Sequence, residues 1–246
     1  MMNIKMLAAF EGLLLGASIF CFLLDRGGGP EGIRSRELYS NEADRYHEAY
    51  IENDSCINGA ISELADTYED FVGFLAVDGT SIEYPLMRDR TDSDGNYFYL
   101  SHNFRGEPDT SGCPFIRRSA DLDNDIVEIY AHNNSNGTMF ADLSKFEDET
   151  FFNDYGEIVI DTVDGRIYYK VIAVLDVSVI DGPFTFLGWS NFPNETVEQE
   201  FIDQVSSLAH QSSCEAITPG NQYLLLVTCE YSHDNGRRIV VAIRTQ

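Results

Sequence analysis

The chain has 246 residues, with 41 Asp and Glu against 16 Lys and Arg, for a formal net charge of -25. That length supplies one substantial core, and the acidic excess argues against nucleic-acid binding and against docking on anionic lipid through a basic face. An aromatic share of 12% with frequent Val, Ile and Tyr points to a β-rich core.

Met6 to Leu24 is nearly all apolar, interrupted by Glu11. Its length suits a single membrane span, and no small-x-small cleavage site follows it. The expectation is an uncleaved N-terminal membrane anchor over residues 1–26, with the large acidic remainder outside the membrane. Gly27-Gly28-Gly29-Pro30-Glu31-Gly32 reads as part of a flexible linker spanning 27–36. Polar, helix-compatible sequence follows from Arg34 to Tyr50. Ile61, Leu64, Ala65, Tyr68 and Val72 then recur at helical spacing, so two N-terminal helices are expected over 37–72.

From residue 73 to 246 the pattern changes to short strands broken by turns. Val77-Asp78-Gly79-Thr80 is a turn signal, and Val163-Asp164-Gly165-Arg166 centres a hairpin between strands at 157–162 and 166–177. Ile126 to Ala131 reads as a strand ending just before His132. Asn194 to His210 carries Val197, Phe201, Val205 and Leu208 along one helical face, with Thr196 and Gln199 fitting a capping box. Tyr223 to Cys229 is an apolar run, hence a buried strand, and Arg237 to Ala242 forms the next one.

That last pair carries the chemistry. A thiol ends one strand and arginines open the next, so a hairpin brings them together. A guanidinium beside a thiol favours the thiolate and can hold an oxyanion formed when that thiolate attacks a carbonyl. The bland alternative is a buried core Cys with two solvated arginines. The five cysteines, Cys21, Cys56, Cys113, Cys214 and Cys229, show no Cys-x-x-Cys spacing, so no zinc site is indicated. A thiol nucleophile needs a base, and five histidines are available: His47, His102, His132, His210 and His233. His132 closes a strand and is the first candidate, with His233 second.

These residues resemble the motifs of a known family. Tyr130-Ala131-His132-Asn133-Asn134 through Asp142-Leu143 resembles the histidine motif of class B sortases. Leu226-Val227-Thr228-Cys229 is similar to their Thr-Leu-x-Thr-Cys motif, and Arg238-Ile239-Val240-Val241-Ala242 to their arginine strand. Asp78 to Pro85 and Tyr97 to Phe104 match as well. The likeness runs from about Phe71 to Arg244, with the three catalytic pieces in order. Ala131 stands where the family usually has Gly.

The resemblance implies a mainly β fold, a sortase-type eight-stranded β-barrel with two N-terminal helices and a helix inserted before the catalytic Cys strand. It implies a membrane-anchored, extracellular cysteine transpeptidase of Gram-positive bacteria that needs no cofactor and no metal. Its partners would be surface proteins or pilins bearing a sorting motif, and a cell-wall precursor amine or pilin lysine as acceptor. By resemblance Cys229 is the nucleophile, His132 the general acid/base and Arg238 the oxyanion stabiliser. Thr228, Tyr130 and Glu230 are the candidate substrate contacts. Strand side chains alternate, so only one of Arg237 and Arg238 faces the site, and register decides between them. Rival readings are a cysteine hydrolase, which would ignore amine acceptors, and a non-catalytic β-barrel that binds surface proteins.

Overall fold

The computed structural model describes residues 30–52, 54–91, 96–180, 182–213, 217–231 and 235–246. The first helix, α1, runs Pro30–Glu52, and α2 runs Asp54–Thr67. Residues 30–36, expected as linker, are therefore helical. Proline at the first helical turn has no amide bond to lose, and Ser35, Tyr39, Glu42 and Tyr46 recur every three or four residues as one buried stripe. The glycine-rich opening masked that stripe in the sequence. The expected anchor at Met6 to Leu24 lies outside the described residues. The single-pass membrane placement is corrected: among the described residues, no helix is long and apolar enough to cross a membrane.

Nine strands follow among the described residues: β1 (Phe71–Val77), β2 (Glu83–Arg88), β3 (Phe115–Ile116), β4 (Ile126–Tyr130), β5 (Glu157–Thr162), β6 (Gly165–Ser178), β7 (Gln211–Ser212), β8 (Tyr223–Glu230) and β9 (Gly236–Arg244). They hydrogen-bond in the order β5-β1-β2-β3-β4-β8-β9-β6-β7, and β5 also pairs with β6. Eight strands thus close on themselves as a mixed barrel, with the two-residue β7 added at the side of β6. The expected eight-stranded, mainly β architecture is borne out. Closure removes exposed sheet edges, and the long β6 achieves it by pairing β5 along its first half and β9 along its second.

Local sequence explains the corners. The β5–β6 turn is Val163-Asp164, with Thr162 paired to Gly165. In the β1–β2 connection Gly79 holds φ +72°, and a Cβ there would lie 2.6 Å from the Tyr155 ring. A short helix, α3 (Glu149–Asp154), precedes β5, and α4 (Glu195–Leu208) precedes β7. The α4 N-cap is Asn194, whose side chain accepts from the Val197 amide at 3.1 Å, in place of the expected Thr196–Gln199 box.

The sheet separates two apolar clusters. Leu224 and Leu226 of β8, with Val240 and Ala242 of β9, face the barrel interior beside Phe74, Tyr84 and Phe140. Tyr223, Leu225 and Val227, with Ile239 and Val241, face outward beneath α4 and the 182–193 loop, against Phe184, Phe186 and Phe201. This alternation fixes where every side chain of the candidate site points.

Candidate active site

The site lies where β4, β8 and β9 run side by side. β4 is parallel to β8, with Tyr130 paired to Val227, and the Ala131 amide extends the ladder to the Val227 carbonyl at 3.3 Å. Continuing that register by two residues sets His132 beside Cys229. β9 is antiparallel to β8, and its register pairs Cys229 with Arg237 and Thr228 with Arg238. Directly opposed residues share a face. Cys229 and Arg237 therefore share the outward side that also carries Val227 and Ile239, and the extended register brings His132 alongside them, with the Asn133 side chain bonded to the Cys229 carbonyl. His132, Cys229 and Arg237 are each 3% exposed.

This register corrects the expectation for the arginine. Arg238 points to the opposite face, where its Nε and Nη2 donate to the Asp176 carboxylate at 2.9 and 2.7 Å and Nη2 also meets Glu147. Asp176 lies directly opposite it on β6. Arg238 is thus held by carboxylates away from the thiol, whereas Arg237 sits across from it. Alternation likewise turns Thr228 and Glu230 away from the Cys229 face. The Thr228 hydroxyl donates to the Ala131 carbonyl at 2.8 Å, tying β8 to the residue before His132.

His132 is held from two sides. Its Nε2 lies 2.7 Å from the Leu100 carbonyl oxygen. A carbonyl only accepts, so the neutral ring carries its proton on Nε2, and Nδ1 is the basic nitrogen. Burial pushes the imidazole down from 6.5 to about 4, against a smaller opposing effect of the Leu100 bond. Gly112 packs on the ring at φ +69°, where a Cβ would meet the Tyr99 carbonyl at 2.7 Å and His132 Cδ2 at 3.1 Å. Tyr39 of α1 donates to the Gly112 carbonyl at 2.6 Å, and Arg36 to the Asn136 carbonyl at 2.5 Å, so α1 braces both sides of the His132 segment.

Asn133 also belongs to the site. Its side-chain amide donates to the Cys229 carbonyl at 2.9 Å, and Tyr231 donates to the Asn133 carbonyl at 3.1 Å. Neither Asn133 nor the Leu100 carbonyl was foreseen from the sequence. The former stands next to a candidate base, a signal too general to single it out, and the latter is backbone. Tyr130 is half-buried, with its hydroxyl donating to Glu128 at 2.6 Å.

The other histidines have local partners: His47 meets Glu83 at 2.8 Å, His102 stacks on Phe98 at 3.8 Å, and His210 meets Asp176 at 3.4 Å. His233, Cys21 and Cys214 lie outside the described residues. Cys113 is a second free, buried thiol whose pKa burial raises, and it donates to the Pro85 carbonyl.

No protein-family model matches the chain. It is similar to sortase B of Listeria monocytogenes, with 26% identity over 192 residues covering 75% of each sequence. It is also similar to sortase B of Staphylococcus aureus, with 24% identity over 216 residues, covering 86% of this chain and 85% of that one. Among solved structures, Clostridium perfringens sortase B superposes with TM-score 0.68 and 26% identity, covering 75% of this chain and 99% of that one. A Staphylococcus aureus sortase B–substrate complex superposes with TM-score 0.77 and 22% identity, covering 89% and 99%. These likenesses bear out the class B sortase resemblance.

Proposed function

Taking the chain as a class B sortase, we propose that it is a cysteine transpeptidase that cleaves a sorting motif after Thr and transfers the acyl fragment to an amine. The observation that carries this reading is the pairing of Cys229 with Arg237, with the His132–Asn133 segment running on from β4 against the Cys229 carbonyl. An arrangement of that kind accounts for every proton and charge of acyl transfer.

In the proposed reaction Cys229 Sγ attacks the Thr carbonyl carbon, and the thiol proton passes to Nδ1 of the neutral His132. The carbonyl becomes a tetrahedral oxyanion, which the Arg237 guanidinium holds. As the C–N bond breaks, the imidazolium returns its proton to the leaving amine. A buried imidazolium with a pKa of about 4 is a strong acid, suited to that delivery. The thioacyl carbon is then attacked by an acceptor amine, whose proton His132 takes as the C–S bond breaks. The substrate is a surface protein or pilin bearing the motif, and the acceptor a cell-wall precursor amine or a lysine. One solved sortase B is complexed with triglycine, and another with substrate.

The test is cleavage of quenched peptides with Leu-Pro-x-Thr-Gly-like and Asn-Pro-x-Thr-like motifs, with and without glycine or lysine amines. Cys229-dependent cleavage after Thr, with an amine-ligated product, is expected. Cleavage indifferent to amines would make the protein a hydrolase. No cleavage of any peptide would overturn the reading.

A further inference from the structure

Glu128 of β4 is 2% exposed, yet it is a carboxylate in the middle of an apolar strand. It shares the outward face with Ile126 and Tyr130, four residues before His132. Its Oε1 accepts from the Gly188 amide at 2.7 Å, its Oε2 accepts from the Tyr130 hydroxyl at 2.6 Å, and Arg117 Nη2 lies 3.6 Å from Oε2. The same Arg117 nitrogen donates to the Gly188 carbonyl at 2.9 Å and to Ser190 Oγ at 3.4 Å. A buried ion pair thus grips both backbone groups of one loop residue. Gly188 can present them together because it holds φ +90°.

A buried pair of this kind seldom stabilises a fold more than apolar residues of equal volume would, so stability alone does not account for it. Its bonds point to the loop instead. Phe184, Phe186, Leu187 and Trp189 of that loop pack on the outward face with Val227 and Ile239. Cys229 and Arg237 lie two residues further along the same strands, a rise of roughly 7 Å. A peptide laid across Cys229 on this face therefore abuts the loop.

We propose that Glu128 and Arg117 are positioning residues, fixing the 182–193 loop as a preformed wall for the peptide beside Cys229. This rests on the transpeptidase reading for its kinetic consequence, but not for its structural one. Fixing the wall beforehand lowers the ordering cost of binding, so its loss appears in KM more than in kcat.

The test compares the wild-type protein with Glu128→Gln, which keeps one acceptor oxygen, turns the other position into an NH2 donor and removes the charge facing Arg117. A second variant, Gly188→Ala, disturbs the grip from the loop end and leaves the buried pair intact. Each is read by steady-state kinetics on the cleaved sorting peptide and by amide hydrogen exchange. The expected result is a KM raised about tenfold with kcat within about twofold. Exchange should rise at 184–192 while β8 and β9 stay protected. Unchanged KM, or exchange rising equally throughout the barrel, would overturn the proposal. If Glu128→Gln does not fold, Gly188→Ala decides. If the wild-type protein cleaves no peptide, the transpeptidase reading fails, and the exchange arm still decides whether the pair fixes the loop.

Discussion

The two adjacent arginines make the sharpest prediction, because register gives them opposite tasks. Arg237 is paired directly with Cys229, so their Cβ atoms are roughly 5 Å apart, close enough for the guanidinium to serve the oxyanion on the carbonyl that Sγ attacks. Arg237→Met keeps an unbranched apolar stem but removes the guanidinium donors. Loss of one preorganised oxyanion donor lowers kcat by roughly 10²–10³, or about 3–4 kcal/mol of transition-state stabilisation. Arg238→Met instead breaks the two-point contact with Asp176, whose side chain is 18% exposed. With solvent able to reach the stranded carboxylate, the expected cost is about 1–3 kcal/mol of folding stability, with turnover of the folded fraction within about fivefold. Initial rates on the cleaved peptide, paired with urea unfolding of each variant, separate the two effects. The register argument is refuted if Arg238→Met loses turnover as Arg237→Met should while Arg237→Met stays active and folded.

Three further outcomes are expected. His132 titrates near 6.5 when unfolded and about 4 when folded, so between those values the unfolded chain binds the extra proton and stability falls as pH falls. The contribution lost is up to about 3 kcal/mol by pH 4, and urea unfolding of wild type and His132→Gln should diverge by that amount from pH 7 to 4; parallel curves would contradict it. Gly112→Ala forces a Cβ against the Tyr99 carbonyl and the His132 ring, so kcat should drop at least about tenfold with KM little changed. A kcat equal to wild type would show that the ring tolerates the shift. Thr228→Val strands the buried Ala131 carbonyl, at a cost of about 1–3 kcal/mol by chemical denaturation, while Thr228→Ser should recover most of it.

Much of this arrangement was legible in the sequence, for specific reasons. β8 was clear because seven apolar or small residues run unbroken into Cys229, and the β5–β6 hairpin because Asp164-Gly165 sits between two alternating strands. His132 was found because a strand signal stops one residue before it. The arginine was not settled, since its face depends on the connection between Glu230 and Gly236, and a five-residue connection does not fix register as a two-residue turn does. The start of α1 was missed because Gly27 to Gly32 carries loop composition, and the first buried position of the stripe, Gly32, is itself a glycine. β3, two residues long, has no periodicity to read. Glu128 contradicted its apolar strand, and its meaning emerged only with Gly188 and Arg117 beside it.

The central claim is that Cys229 carries the acyl group between two amines. Intact-mass measurement of the protein mixed with an excess of cleavable sorting peptide, in the absence of acceptor amine, tests it most directly. The account predicts a mass increase equal to the acyl fragment, confined to Cys229 by peptide mapping, discharged by added amine and absent in Cys229→Ala. Cleavage that proceeds in Cys229→Ala, or that proceeds without any adduct that an amine can discharge, would contradict it.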